Sequence, residues 1–337
     1  MTKLLALILL IALLPAPAGA APISLWLSPA EIAVLPMSGA AWGRVKAAAD
    51  GALGSPNIAD QNSKHDVLTL AVALVYARTL NPAYRAKAAN AILAAIGTEA
   101  GGRTLALGRN LVSYVIAADL IQLRVYNPAD DARFRAWLSA VRRETLDGQT
   151  LISTHERRPN NWGTHAGASR VAVDRYLGDA VDLARAAAVF RGWLGERAAY
   201  AGFRWGDLSW QCSSSAPVGI NPAGCLKSGH SIGGVLPDDQ RRSGSFAWPP
   251  ACENYTWEAR QGALVEAQLL ARAGYPAWGW SNRALLRSVQ WSYSNGCAAS
   301  GDDTWQPALV NRAYGTAYAV GSGVGKNMAW CDWMFGR

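Results

Sequence analysis

The sequence predicts an all-α fold, an incomplete α/α toroid (barrel) of antiparallel helical hairpins with a long irregular loop insertion. Helical periodicity dominates from residue 40 to about residue 200, with short Gly, Asn and Pro breaks between the periodic segments. Val67–Val75 and Leu111–Leu120 are apolar on almost every side, so other helices must cover them. A plain helical bundle is the alternative architecture.

The helices predicted before the loop are Ala40–Leu53, Lys64–Leu80, Pro82–Ile96, Leu105–Leu123, Pro128–Leu146, Trp162–Leu177 and Ala180–Ala199. Two of them begin at Asn-Pro, which places a capping side chain before a proline at the first helical position. Residues 201–250 are rich in Gly, Ser, Pro and Trp, and a loop of this length is usually functional. Helices resume at Glu253–Ala273, Ser281–Ser294 and Gln306–Tyr318, the last with Asp303 or Thr304 as its expected N-cap.

Residues 1–20 are predicted to be a signal peptide. Lys3 precedes an apolar run from Leu4 to Leu14, and Ala18-Gly19-Ala20 is a small-residue cleavage site. The run is shorter than the ~20 residues that span a bilayer, and no later stretch is long and apolar enough to do so. We therefore expect a secreted or periplasmic protein that begins near Ala21, with one domain over residues 21–337 and no membrane span.

Composition narrows the class of function. The 337 residues carry 32 Lys or Arg and 24 Asp or Glu, a formal charge of +8, and half of them are apolar. That balance excludes a disordered chain. The basic residues form no dense stripe interleaved with aromatic residues, so no nucleic-acid partner is expected. The sequence contains no G-x-S-x-G, H-E-x-x-H, Walker or G-x-G-x-x-G motif, which argues against a serine hydrolase, a zinc protease and a nucleotide-dependent enzyme.

Five cysteines lie in the C-terminal half, and export would permit disulfides. The pairs that we favour are Cys212–Cys225 and Cys297–Cys331, which leaves Cys252 as the odd thiol. None of the five has the C-x-x-C spacing of a zinc site, so no cysteine metal site is predicted.

The most informative local pattern is Asn160-Asn161-Trp162-Gly163-Thr164-His165 at a predicted helix start. Asn161 and His165 are four residues apart and would project from one helix face, and amides at a helix N-terminus bind carboxylates well. The structural alternative makes Asn161 a simple cap and His165 a core histidine. His65-Asp66 and His230 are weaker candidates.

A second pattern runs from Asp238 to Arg242 and continues after the loop at Glu253-Asn254-Tyr255-Thr256-Trp257. Arg241, Arg242 and Tyr255 would together grip an acidic sugar and supply a proton donor. Their structural alternatives are a solvated turn for the arginines and a packed aromatic for the tyrosine.

The run from Asn160 to His165, with Tyr176-Leu177-Gly178-Asp179 closing its helix, resembles the signature helix of the alginate lyase-like polysaccharide lyases. The resemblance covers roughly Lys64–Ala273 and implies an α/α toroid. It further implies that Arg241 or Arg242 and Tyr255 take the places of the arginine and the catalytic tyrosine of the family. The histidine that follows the two asparagines in the family is Trp162 here, and His165 occupies the position of the family's tryptophan.

These residues suit β-elimination of a uronate chain, which needs a carboxylate clamp, a base and an acid, and no metal or organic cofactor. Asn160, Asn161 and an arginine suit the clamp, His165 or Tyr255 the base, and Tyr255 the acid. Trp162, Arg241, Arg242, His230 and Trp257 are the expected substrate-binding residues. We expect a monomer acting on an acidic polysaccharide, toward which the positive charge biases encounter.

Two other functions remain open. An α/α-toroid glycoside hydrolase would need two carboxylates ~5–9.5 Å apart in one cleft, with Asp238, Asp239, Glu253 and Glu258 as candidates. A non-catalytic carbohydrate-binding envelope protein would keep the fold without the chemistry.

Overall fold

The computed structural model describes residues 24–336, and within them it confirms the all-α prediction. The predicted signal peptide, residues 1–20, and the expected start near Ala21 lie outside the described residues. The helices are α1 Pro29–Ala33, α2 Gly39–Asp50, α3 His65–Thr79, α4 Pro82–Ala94, α5 Thr104–Leu120, α6 Leu123–Tyr126, α7 Pro128–Val141, α8 Leu151–Arg157, α9 Asn161–Leu177, α10 Ala180–Leu194, α11 Pro237–Gln240, α12 Asn254–Arg272, α13 Trp280–Ser294, α14 Gln306–Tyr314 and α15 Cys331–Phe335.

All ten predicted helices are present, and most of their ends lie within three residues of the prediction. The N-cap expected for α14 is wrong, because Trp305 is its N-cap and Asp303 ends a short 3₁₀ turn, Gly301–Asp303. The Asp303 carboxylate instead accepts hydrogen bonds from the side chains of Gln261 and Gln306, at 2.7 and 2.8 Å. A short helix shows little periodicity in its sequence, and the five short helices α1, α6, α8, α11 and α15 were not predicted.

The helices form an inner and an outer layer. Every residue of α5 is buried, and α3, α9 and α12 are buried on nearly all sides. The outer helices α2, α4, α7, α10 and α13 bury one face each, against this inner set. The near-continuous apolar pattern of α3 and α5 is therefore the pattern of enclosed helices.

Two inner helices, α5 and α12, pack with their backbones in close contact with α9. A Cβ on Gly262 of α12 would lie 2.3 Å from the carbonyl carbon of Thr164, and one on Gly108 of α5 would lie 2.9 Å from the amide nitrogen of Ala166. Both distances are far below van der Waals contact, so only glycine fits at these crossings. The crossings bring the first turns of α5, α9 and α12 to one end of the inner layer.

The two ends of the described chain both pack against the inner layer and meet where Trp26 contacts Phe335, with ring centres 5.9 Å apart. Leu25 and Trp26 cross the C-terminal ends of the inner helices, where the backbone N–H of Leu25 donates to Asp119 at 2.8 Å. The C-terminal tail, residues 321–336, contacts α12 through Lys326, α5 through Asn327 and α3 through Trp330. The tail therefore runs along the inner helices as a packed element.

Residues 201–250 contain a small folded unit. A two-stranded antiparallel hairpin, β1 Leu226–Lys227 and β2 His230–Ser231, and helix α11 lie within it. A separate hydrophobic cluster packs beneath the hairpin, with Trp210, Cys225, Ile232, Val235 and Trp291 as its buried members. The long loop predicted here is thus largely ordered around its own core.

Two disulfides are present. Cys212–Cys225 is confirmed. The predicted Cys297–Cys331 pair is wrong, because Cys297 is bonded to Cys252 and Cys331 is a free, buried thiol within residues 24–336. The Cys252–Cys297 bond ties the segment before α12 to the segment after α13, two elements whose proximity follows from tertiary packing. Over the same residues, no helix combines the length and the apolarity that crossing a membrane requires.

Candidate functional site

The candidate site lies at the end of the inner layer where α5, α9, α12 and α14 begin. Arg109 of α5 pairs there with Glu258 of α12, and Gln306 at the start of α14 donates to the carbonyl oxygen of Trp257 at 3.2 Å. Helix N-termini carry unpaired N–H groups and the positive end of the helix dipole. Four of them at one end therefore make this end suited to an anion.

The first predicted cluster starts α9. Asn160 is its N-cap, and the Asn160 side chain accepts from the backbone N–H of Trp162 at 3.2 Å. The backbone N–H of Asn161, which lies between these two residues, donates at 3.0 Å to the carboxylate of Asp239, a residue of the second predicted cluster. The Asn161 side chain is fully buried, and neither of its polar atoms has a hydrogen-bond partner among the described residues. Buried amides almost always have hydrogen-bond partners, so the Asn161 amide is a candidate to bind a ligand group that enters the site.

Asp239 is the contact that joins the two predicted clusters. Its carboxyl is fully buried, and burial, reinforced by the adjacent Asp238, raises its pKa well above the usual range. Asp238 in turn pairs with Arg241, with Nε 2.8 Å from Oδ1. Arg241 is therefore engaged with the protein, whereas its neighbour Arg242 is exposed.

Arg242 and Tyr255 form a pair at the start of α12. The Arg242 guanidinium carbon lies 4.1 Å from the centre of the Tyr255 ring, which is a cation–π distance. Tyr255 is 37% exposed and lies within electrostatic range of buried Arg109. A phenol thus packs against an exposed guanidinium and remains accessible to solvent.

His165 lies beneath the Arg109–Glu258 pair. It is fully buried, with Nε2 4.0 Å from a Glu258 carboxylate oxygen, and neither ring nitrogen has a hydrogen-bond partner among residues 24–336. Burial lowers the pKa of His165 well below its usual value, and the positive charges of Arg109 and Lys326 lower it further. The imidazole is therefore neutral at neutral pH.

Arg109 is also buried, and burial lowers its pKa to about 10, so it stays cationic at neutral pH. The Arg109–Glu258 pair joins α5 to the start of α12, and Glu258 also lies close to His165 of α9. Sequence reasoning did not select Arg109, although one signal was present. A charged residue near the start of the largely apolar run from Leu105 to Leu120 must find a buried partner.

The remaining predicted site residues are spread over the surroundings. Trp162 is half-buried beneath Arg158, at 5.0 Å from guanidinium to ring centre. Trp257 is 5% exposed, and its indole donates to the carbonyl oxygen of Cys297 at 3.0 Å. His230 stacks on Trp248 in the 201–250 unit, with ring centres 4.5 Å apart. The structure thus brings Asn160, Asn161, Asp239, Arg242, Tyr255 and His165 to one end of the inner layer, and it places His230 on the neighbouring surface.

The weaker candidates His65 and Asp66 open α3. The Nδ1 of His65 lies 2.7 Å from the hydroxyl of Tyr114, within hydrogen-bond distance. Burial raises the pKa of Asp66 well above its usual value, so its carboxyl favours the neutral form. These side chains belong to the interface between α3 and α5.

A surface cavity of about 710 Å³ lies at the opposite end of the inner layer. It is lined by Leu27, Glu31, Asn311, Arg312, Tyr318 and Phe335 among others. Glu31 is neutralised there by Arg272 and Arg312, and no buried unpartnered polar group is found among the lining residues. This cavity is large, but the end of the inner layer where α9 and α12 begin remains the stronger candidate for the functional site.

Asp303 gives the candidate site a measurable pH dependence. Burial raises its pKa to about 6, although the amides of Gln261 and Gln306 hold the charged form. The folded protein therefore binds this proton more tightly than the unfolded chain, in which the pKa is about 3.9. The resulting stabilisation is complete below pH ~3.9 and is lost as the pH rises through ~6.

We expect Asp303→Asn to remove that component. Relative to the wild type, the variant should gain up to ~3 kcal/mol in free energy of unfolding between pH 4 and pH 7, since each pKa unit is ~1.4 kcal/mol. Urea unfolding at several pH values measures the difference, and Asp302→Asn, an exposed neighbour, controls for the loss of one negative charge. Parallel pH profiles for the wild type and Asp303→Asn would contradict the prediction.

Comparison with known proteins adds one finding. The family model described as alginate lyase matches residues 66–203. No curated protein and no solved structure was found to match the chain.

The matched segment contains Arg109 and the run from Asn160 to His165, whereas Arg242, Tyr255 and Glu258 lie beyond it. It begins near the start of α3 and ends after α10, so it includes three of the four inner helices. Over residues 66–203 the chain is similar to the alginate lyase family, and this similarity supports a polysaccharide lyase in general.

Proposed function

We propose that this chain is an exported polysaccharide lyase that cleaves a uronic-acid-containing polysaccharide by β-elimination. The observation that carries the proposal is the Arg242–Tyr255 pair at the end of the inner layer where α5, α9 and α12 begin. Buried Arg109 lies within electrostatic range of this pair, and α5 and α9 belong to the segment that the family model matches. Elimination needs cations for a carboxylate and an accessible group that moves a proton, and this pair combines both.

The chemical difficulty is the removal of the C5 proton of a uronate. That proton is weakly acidic because the neighbouring carboxylate is negative, so the site must neutralise the carboxylate as charge develops on it. The exposed guanidinium of Arg242 is assigned to that role, and the buried Asn161, whose side-chain amide is unpartnered, is assigned a supporting place behind it. Asn160 caps α9 and holds this end in place.

The proton itself is assigned to Tyr255. Its oxygen, entering the step deprotonated, takes the C5 proton; the C4–C5 double bond forms, the C4–O4 bond breaks, and the proton passes to the leaving O4. Tyr255 is 37% exposed and can meet a sugar, whereas His165 is fully buried. We therefore assign to His165 a positioning role beneath Arg109 and Glu258.

Substrate class follows from charge. The chain carries a net charge of +8, which attracts a polyanion, and the converging helix N-termini add a local positive potential. Half-buried Trp162 and the His230–Trp248 stack offer flat faces for neighbouring sugar rings. Trp257 and Arg241 support this surface from below. The predicted signal peptide and the two disulfides are consistent with a secreted or periplasmic protein.

One observation favours a second candidate, a non-catalytic carbohydrate-binding protein. His165 is buried and lines no open surface, as expected if the fold had kept a binding end without the histidine. The hydrolase alternative has less support, since Asp238, Asp239, Glu253 and Glu258 each already bind protein donors.

The test is the ultraviolet absorbance of products on a panel of polyuronates. Elimination creates a double bond conjugated to the carboxylate, which absorbs ultraviolet light, and hydrolysis does not. The proposal predicts growing absorbance together with new reducing ends on at least one polymer. New reducing ends without absorbance would indicate a hydrolase, and binding without either would indicate the non-catalytic protein.

A further inference from the structure

The C-terminal tail places a lysine beside the candidate site. The backbone N–H of Lys326 donates to Gln261 of α12 at 3.0 Å. Gln261 follows Tyr255 by six residues and lies about 9 Å from it along the axis of α12. The tail therefore contacts α12 less than two turns after the tyrosine.

Three cations meet at this point, and two of them are paired. Arg109 pairs with Glu258, and Lys64 with Asp302 at 3.2 Å. The third, Lys326, has an amide oxygen as its partner, with Nζ donating to Asn62 at 2.9 Å, and no carboxylate among the described residues lies within ion-pair distance of it.

The surroundings of Lys326 are electrostatically unfavourable for a lone cation. It is half-buried, and its pKa is lowered by burial and by the charges of Arg109 and Lys64, against a partial opposing effect of Asp302 and Asp303. A half-buried ammonium beside two other cations is stabilised by an incoming anion more than an exposed lysine is. An ion pair made by a fully exposed lysine contributes little free energy, because solvent screens the two charges.

We infer that Lys326 binds a carboxylate of the acidic polysaccharide on a sugar beyond the one held by Arg242 and Tyr255. This inference rests on the proposed function for its substrate class. It adds a residue that lies more than 120 positions beyond the family match, supplied by the tail that packs along the inner helices. The ligand recognised in this way is a polysaccharide with carboxylates on neighbouring sugars, as in a continuous polyuronate.

The test compares binding of a polyuronate tetramer, once as mannuronate and once as galacturonate, by titration calorimetry in the Tyr255→Phe background. Lys326→Met keeps the length of the side chain and removes its charge, Lys326→Arg keeps the charge, and Lys46→Met removes a charge from an exposed lysine of α2. Lys326→Met should weaken binding by ~10-fold or more, since a charge-assisted hydrogen bond is lost. Lys326→Arg and Lys46→Met should stay within about threefold of the parent, as surface charge changes do.

Equal affinity of the parent and Lys326→Met would overturn the inference, and so would a parent that binds neither tetramer. Unfolding midpoints show whether each variant is folded. If Lys326→Met is unstable, Lys326→Arg decides the question: the inference predicts normal affinity for this variant when it is folded, because it keeps the positive charge. A wild-type chain that binds in a Lys326-dependent way but forms no unsaturated product would refute the proposed lyase activity and support this inference.

Discussion

Tyr255→Phe is expected to reduce the rate of elimination by ~10²-fold or more, because general acid–base groups contribute at least that much to turnover. The substitution removes one oxygen and leaves the ring beneath Arg242, at 4.1 Å in the wild type. Substrate affinity should therefore change little, so the loss should fall on kcat rather than on KM. The measurement is the initial rate of ultraviolet-absorbing product on the best polyuronate of the panel.

Tyr126→Phe is the matched control for this experiment. Tyr126 is 41% exposed and lies under Arg85, 4.5 Å from guanidinium to ring centre, so its setting is close to that of Tyr255. It sits in α6, at the other end of the inner layer from the candidate site. Full activity in Tyr255→Phe, or equal losses in both variants, would remove Tyr255 from the chemistry.

Gly262→Ala is expected to destabilise the fold by ~3 kcal/mol or more, at the upper end of what overpacking costs. The new Cβ would lie 2.3 Å from the carbonyl carbon of Thr164 and 2.4 Å from the amide nitrogen of His165. Neither atom can move alone, because both belong to the backbone of α9. The helices α9 and α12 must separate, and with them Asn161 and Tyr255. Urea unfolding and activity are both measured.

Gly43→Ala is the control. Gly43 lies inside the outer helix α2, and a Cβ there meets nothing within 4 Å. Alanine should stabilise that helix by up to ~1 kcal/mol, because glycine is the poorer helix former. If Gly262→Ala changed stability by less than this control, the close approach of α9 and α12 would not be an essential feature of the fold.

The helical framework was predictable because its signals are local. Asn127-Pro128 and the apolar run of α5 mark a helix start and an enclosed helix from a few neighbouring residues. The candidate site was only partly predictable for the opposite reason. Asn161 and Tyr255 were selected from local composition, but their relation depends on Asp239 and on the glycine crossings, which join distant segments.

The errors have the same physical origin. Cys252 pairs with Cys297 because tertiary packing brings the segment before α12 next to the segment after α13. The spacing of the cysteines in the sequence does not predict that proximity. Lys326 is 71 residues beyond Tyr255, and only the course of the tail brings it to α12. Asp303 was expected as a cap because a carboxylate before a helix usually caps it, yet two glutamine amides hold it instead.

Whether this chain breaks its polysaccharide by elimination or by hydrolysis is decided by the mass balance of a defined substrate. A purified oligouronate of known length is incubated with the enzyme, and the masses of the two fragments from each cut are determined. Elimination predicts that the two masses add up to the mass of the substrate, with the double bond on the new non-reducing end of the fragment that keeps the original reducing end. Fragments whose masses sum to the substrate plus one water would show hydrolysis and contradict it.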